Sequence, residues 1–120
     1  LAAISADKSH KEIERAPQLP LRAPMVIVAI AKFTENDKVP WVEQVASASC
    51  ALHAMQMAAV AQGFAGVWRT GSFAQSSTVK QAFDLSEQDE IVGFLYLGSS
   101  PIKPLPKSKR DSASFFEDWN

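Results

Sequence analysis

The feature that most constrains this chain is an uninterrupted stretch, from Gln44 to Trp68, that contains no Asp, Glu, Lys or Arg. Pro40 precedes the stretch in the position that favours a first helical turn, and Gly63 is the first glycine of the sequence. Alanine dominates its apolar part and polar side chains are spread through it, so a membrane span is not predicted. We expect a central helix that is packed on nearly every side.

The small side chains of this predicted helix would allow another backbone to come close, including the same helix of a second copy. We therefore expect a dimer contact along it. Ser49, His53 and Gln56 follow an i, i+4, i+7 spacing and share one face. Two interpretations of this polar face remain open: contacts across a two-fold axis, or hydrogen bonds inside one subunit. The alanines concerned are Ala46, Ala48, Ala51, Ala54, Ala58, Ala59 and Ala61.

Strand and helix patterns alternate along the chain. A weak helical pattern at 5–15 is followed by prolines, and a brief helix is predicted from Ser76 or Ser77 to Phe83. The continuous apolar run of the first strand is typical of a strand buried on both faces, in the middle of a sheet. Together these patterns predict an α/β-like core with a sheet between helices. The predicted strands are Met25–Ala31, Phe64–Arg69 and Ile91–Leu97.

Length and composition predict one domain, residues 1–120, with a single core. The formal net charge of -1 and the 21% of charged residues give no reason to expect nucleic acid or a membrane surface as a partner. Cys50 is the single cysteine and no signal-like segment opens the sequence, so a cytoplasmic location is expected. Because the chain begins at Leu1 within a helical pattern, we expect it to be the C-terminal portion of a longer protein.

The last twenty residues, 101–120, form a predicted extended C-terminal arm. The segment from Pro101 to Lys109 is rich in proline and lysine and has no periodicity. Phe115, Phe116 and Trp119 then provide anchor-type aromatic side chains. Such an arm either folds back onto its own subunit or embraces a partner.

The chemistry is indicated by the glycine-bounded segment Gly66–Gly71. The sequence contains no nucleophile elbow, phosphate-binding Walker loop or zinc-spaced Cys/His set, and we assign no catalytic side chain and no metal ligand. A strand edge between glycines offers backbone donors and acceptors to a flat ligand, with Trp68 as an apolar wall and Arg69 and Thr70 as donors. In the alternative interpretation, Trp68 belongs to the core and Arg69 is exposed to solvent.

Several segments between Leu21 and Gly98 closely resemble one branch of the FMN-dependent nitroreductase family. They include Lys38–Pro40, Glu43–Gln44, Met55–Phe64, Gly66, Trp68–Arg69, Gly71, Glu87–Asp89 and Ile91–Gly98. The resemblance implies an α+β fold with α/β-like three-layer character, in which a central sheet is flanked by helices. It also implies that this nitroreductase-like FMN-binding fold is incomplete at the N-terminus, because nothing here matches the family's Arg-Arg-Ser-type motif for the FMN phosphate.

The resemblance further implies the cofactor contacts. Trp68, Arg69 and Thr70 match a stretch that contacts FMN, and the family's stretch associated with NAD(P) is matched by Ala58, Ala59, Val60, Ala61, Gln62 and Gly63. The implied reaction is ping-pong: NAD(P)H reduces FMN, which then reduces a small flat acceptor such as a nitroaromatic or a quinone. The implied assembly is a homodimer with its active site at the subunit interface. The alternative is a non-catalytic dimerising or flavin-binding module derived from this fold.

Overall fold

The computed structural model describes residues 10–102, 108–109 and 111–119. The three α-helices are α1 (His10–Arg15), α2 (Trp41–Ala61) and α3 (Ser77–Ala82). The three strands are β1 (Met25–Ala31), β2 (Ala65–Arg69) and β3 (Glu90–Gly98). Short 3-10 helices cover Ala16–Gln18, Pro20–Arg22 and Ser112–Phe115. The helices and the antiparallel sheet confirm the α+β fold class, and each predicted strand lies within one residue of its expected bounds.

The sheet has the order β1-β3-β2, and both pairings are antiparallel. β3 is the central strand and the most buried one, with Ile91, Val92 and Leu95 almost inaccessible to solvent. The prediction that β1 lies in the middle of the sheet, buried on both faces, is wrong for the described residues. β1 pairs only with β3 there, as an edge strand, and Ala31 is its one buried residue, because α2 covers one face of the sheet and the other face is left partly open.

Helix α2 begins directly after Pro40, whose extended backbone marks the N-cap position. At its other end, Gly63 adopts a positive φ of 86°. The Phe64 amide donates to the Ala59 carbonyl at 3.0 Å, and the Gly63 amide donates to the Val60 carbonyl at 2.9 Å. This pair of bonds is the Schellman arrangement, which satisfies the last carbonyls of a helix and turns the chain sharply. The turn leads directly into β2.

One face of α2 packs on one face of the sheet. Leu52 is fully buried there and lies in a cluster with Ala31, Val92 and Leu95. The prediction that α2 is packed on nearly every side is wrong for the described part of the chain, where Leu52 and Ala59 are the only buried residues of this helix. Val45 and Ala48 are half-buried against the same cluster, and most other residues of the helix are exposed, because the described residues supply a single layer for it to pack against.

Two of the three polar residues on this face of α2 make hydrogen bonds inside the subunit. Ser49 Oγ donates to the Val45 carbonyl at 2.8 Å, and Gln56 Nε2 donates to the Gly66 carbonyl of β2 at 2.9 Å. The Gln56 bond joins the helix to the strand that follows it. His53 is exposed. None of the helices among the described residues has the length and apolarity needed to cross a membrane.

The C-terminal arm lies partly outside the described residues, which omit 103–107, 110 and 120. In the described part, Phe115, Phe116 and Trp119 are all largely exposed. These aromatic side chains are therefore not buried against their own subunit. The expectation that the arm folds back onto its own subunit is wrong for these three side chains. Contact of the arm with a partner stays a prediction.

Candidate functional site

A large cleft of about 740 Å³ lies on the sheet face opposite α2. Because strand side chains alternate between faces, residues next to the core residues of each strand point to this side. Residues of α3 and of the two N-terminal 3-10 helices line the cleft as well. The lining residues are Ala16, Leu19, Pro20, Arg22, Val26, Val28, Val67, Arg69, Thr70, Phe73, Thr78, Val79, Ala82, Phe83, Phe94 and Tyr96.

The cleft combines apolar walls with a few polar groups. Phe94 and Tyr96 belong to its sheet wall, and Arg22, Arg69 and Thr70 add two guanidinium groups and a hydroxyl. A mostly apolar cavity with a few placed donors is typical of sites for small organic molecules. An arginine fork can bind a phosphate or carboxylate through two parallel bonds. The arrangement therefore suits a flat molecule that carries an anionic group.

Trp68 points to the other side of the sheet. Its indole is partly buried against the Leu52–Leu95 core, and its Nε1 donates to the Val92 carbonyl at 3.3 Å. Arg69 is exposed and lines the cleft together with Thr70. For the Trp68 side chain, the alternative interpretation is therefore the correct one: the indole packs against the core and is not a wall of the cleft. Its backbone groups still belong to the same strand end as Arg69 and Thr70.

The stretch predicted to contact NAD(P) lies elsewhere. Ala58–Ala61 form the last turn of α2, and Gln62 and Gly63 form the turn into β2. None of the six is among the residues that line the cleft. This stretch precedes β2, whereas Trp68–Thr70 lie at the end of β2, and the first and last residues of the strand are about 13 Å apart at the usual rise. Within the described chain, the fold brings Arg69 and Thr70 together in the cleft and leaves 58–63 outside it.

A buried carboxylate holds the end of the sheet near α3. Asp89 is 2% exposed, and its Oδ2 accepts from Lys32 Nζ at 2.6 Å. The backbone amides of Ser86 and Phe33 donate to the same carboxylate at 2.8 and 2.9 Å. The Lys32 ammonium first, and then these amides, hold the pKa of the Asp89 carboxyl well below its ordinary value, against the opposing effect of burial. Asp89 thereby fastens the exit of β1 to the entry of β3.

Lys80 connects this cluster to the wall of the cleft. Its Nζ donates to the Asp89 carbonyl at 2.9 Å and to Glu90 Oε2 at 2.7 Å. Lys80 is on α3, directly after Thr78 and Val79 of the cleft wall. A short helix such as α3 has little stability of its own, so these charge-assisted bonds fix its position against β3.

Sequence reasoning identified the strand end Arg69–Thr70 but not most of the cleft. Phe94 and Tyr96 were assigned only to an apolar strand, although alternation with Leu95 and Leu97 could have placed them on a second face. Asp89 was part of a matched segment without a role. The available signal was the pair of acidic residues, Asp89 and Glu90, directly before the apolar run that begins at Ile91.

The fold agrees with comparisons to known proteins. The model of the nitroreductase family matches residues 3–99, and the chain belongs to that family. It is 54% identical over 101 residues to the Escherichia coli K12 protein named "Putative NAD(P)H nitroreductase YdjA". It is 37% identical over 103 residues to the Haemophilus influenzae protein named "Putative NAD(P)H nitroreductase". These matches cover 84% and 85% of this chain, but only 55% and 56% of the relatives.

The fold also matches a solved structure. The crystal structure of a nitroreductase-like family protein from Bacillus cereus superposes with a TM-score of 0.73 at 20% identity. The match covers 92% of this chain and 60% of that protein. The family resemblance and the predicted nitroreductase-like fold are confirmed. The chain spans about half the length of the curated relatives that it matches.

Proposed function

We propose that the protein acts as a flavin-dependent oxidoreductase that passes electrons from NAD(P)H through FMN to nitroaromatic or quinone-like acceptors by a ping-pong mechanism. The observation that carries this proposal is the 54% identity to the protein named "Putative NAD(P)H nitroreductase YdjA", over a segment that includes the strand end at the cleft. Since the chain spans 55% of that relative, the activity is proposed for the whole protein.

The residues of the cleft fit a flavin in size and chemistry. Ligand sites measure about 300–1,000 Å³, and the cleft of about 740 Å³ lies in that range. The apolar walls suit a flat ring system, while Arg69 and Thr70 offer donors to its polar edge or to its phosphate. Bound FMN supplies the redox chemistry, and the protein orients and tunes it. The role of Trp68, Arg69 and Thr70 in this proposal is therefore positioning and hydrogen bonding.

We further propose that two copies complete the site. The stretch Ala58–Gly63 is separated from the cleft within one chain. An NAD(P)H contact at this stretch and a flavin contact at Trp68–Thr70 can therefore form one site only if a second subunit supplies one of them. The exposed part of α2 supports this, because it has no charged side chain between Gln44 and Ala61. An active site at the interface of a homodimer is then expected, with a small flat oxidised molecule as the acceptor and a cytoplasmic location.

The proposal is tested first by flavin binding. Arg69→Ala should weaken FMN binding about tenfold or more, since it removes a charge-assisted bond worth about 1.5–3 kcal/mol. Folding stability should change by less than about 0.5 kcal/mol because the side chain is exposed. The measurement is a fluorescence titration of FMN, followed by NAD(P)H oxidation with a nitroaromatic acceptor.

Lys38→Ala is the matched control, since it removes one exposed positive charge from a loop outside the cleft. Its FMN affinity should equal that of the wild type. Equal FMN affinity of Arg69→Ala and Lys38→Ala would contradict the site. A wild-type protein that binds FMN without oxidising NAD(P)H would support the alternative flavin-binding module. A wild-type dimer without FMN binding would support the dimerising one.

A further inference from the structure

Gly93 lies in the middle of the central strand β3, where any side chain would collide with strand β2. A Cβ atom placed on Gly93 would lie 2.2 Å from Trp68 Nε1 and 2.8 Å from the Arg69 carbonyl oxygen. Both distances are far shorter than a van der Waals contact of about 3.5 Å. Gly93 is also buried, so no open space could receive the added atom.

The two collisions have different consequences. An indole ring can turn about its side-chain bonds, but the Arg69 carbonyl oxygen can move only together with the backbone of β2. Relief of the collision therefore requires a shift of β2 on the order of 1 Å relative to β3. Gly63 and Gly71 differ in this respect, since an added Cβ at either would meet no atom within 4 Å.

The strand that would move carries the cleft donors. Trp68 is fastened to β3 through its bond to the Val92 carbonyl, while the Arg69 side chain and Thr70 project into the cleft on the opposite face. The separation of β2 from β3 at Gly93 thus sets the position of these donors.

We propose that Gly93 is a positioning residue for the flavin-contacting strand end Trp68–Thr70. The absence of a side chain lets the indole and the Arg69 carbonyl lie against β3 and fixes Arg69 and Thr70 at the cleft. This inference rests on the proposed function, because it assigns the strand end to FMN.

The test compares Gly93→Ala with Gly98→Ala in the full-length protein. Gly98 is on the same strand, and its added Cβ would lie 2.9 Å from Pro24 Cδ, away from Trp68 and Arg69. Both variants carry a steric cost, but Gly93→Ala alone should weaken FMN binding by tenfold or more, since displacements of about 1 Å cost up to about a hundredfold at such sites. FMN fluorescence titration and thermal unfolding are measured for both.

A second readout follows the strand itself. In protein labelled with 5-fluorotryptophan, Gly93→Ala should shift the ¹⁹F resonance of Trp68, and Gly98→Ala should leave it unchanged. Trp68→Leu identifies that resonance among those of the three tryptophans. A shifted resonance together with weakened FMN binding supports the positioning role.

A double variant covers the case in which Gly93→Ala does not fold. Trp68→Leu/Gly93→Ala removes the collision with the indole and keeps the one with the Arg69 carbonyl, so it should still bind FMN at least tenfold more weakly than Trp68→Leu. The inference would be overturned, with the proposed function intact, if Gly93→Ala bound FMN within about twofold of the wild type and the double variant bound it within about twofold of Trp68→Leu. A wild-type protein that does not bind FMN would overturn the proposed function, and this inference with it.

Discussion

At the residue scale, Asp89 shows how one buried charge is stabilised. Burial alone would favour its protonated form, yet its carboxylate accepts bonds from an ammonium group and from backbone amides. Lys32 itself is largely exposed, so the backbone amides supply the part of this stabilisation that solvent does not screen. The carboxylate binds the Phe33 amide, 56 residues away in sequence, and thereby connects the end of β1 to the start of β3.

The lowered pKa of Asp89 predicts a specific acid sensitivity. The unfolded chain titrates this carboxyl near its ordinary value of 3.8, and the folded chain titrates it lower. The contribution to stability is therefore complete above that value and is lost as the pH falls below it towards the folded pKa. Asp89→Asn should lower the thermal midpoint at pH 7 and reduce the loss of stability between pH 5 and about 3. Thermal unfolding across that range measures both effects.

Asp37→Asn is the control for this experiment, because Asp37 is exposed in the loop before α2. It should reproduce the wild-type midpoint and the wild-type pH profile. If Asp89→Asn has the same profile as Asp37→Asn, the stabilising role of the Asp89 carboxylate is refuted.

At the element scale, the long helix α2 is held to the sheet by few residues. Leu52 is fully buried at its centre, and Gln56 binds the backbone of β2. The other faces of the helix contribute little to the stability of one chain, since burial of apolar area is the main source of that stability.

Leu52→Ala should therefore lower the free energy of unfolding by about 3 kcal/mol, in the range for buried leucines that leave a cavity. Leu21→Ala removes the same atoms from a side chain that is 74% exposed and should change the free energy by less than about 0.5 kcal/mol. Urea unfolding of both variants gives the comparison. Equal losses would mean that the core does not lie between α2 and the sheet.

In the whole molecule, two apolar surfaces of the described residues are available to a partner: the exposed part of α2 from Gln44 to Ala61, which has no charged side chain, and the aromatic tip of the arm. Met55, Met57 and Val60 are among the large exposed apolar residues of this helix. Large contiguous apolar patches on a protein surface commonly mark interaction sites. This is the physical basis of the proposed homodimer.

Ala54→Glu tests the assembly. A carboxylate on each copy would be buried near its symmetry mate, so dimer dissociation should increase at least about tenfold, as expected for an uncompensated buried charge. Sedimentation velocity over a range of concentrations measures it. Gln81→Glu on the exposed face of α3 is the control and should sediment like the wild type. An unchanged profile for Ala54→Glu would place the interface elsewhere.

Local features of the chain follow from neighbouring residues, whereas the strand order depends on long-range contacts. The strands and α2 could be predicted from the amino-acid sequence, because apolar runs, Pro40 and Gly63 act on their own neighbours. The family could be predicted as well, through runs of matching residues. The strand order did not follow, since the pairing of β3 between β1 and β2 depends on contacts between distant segments.

The site divides in the same way. The strand end Trp68–Thr70 was identified from its flanking glycines and from the resemblance to the family. Three further features depend on the packed structure: Trp68 turns towards the core, Arg69 and Thr70 line the cleft, and Gly93 leaves room for the Trp68 indole and the Arg69 carbonyl. The physical reason is that alternation fixes which residues of a strand share a face, whereas the layers packed around the sheet decide what each face meets.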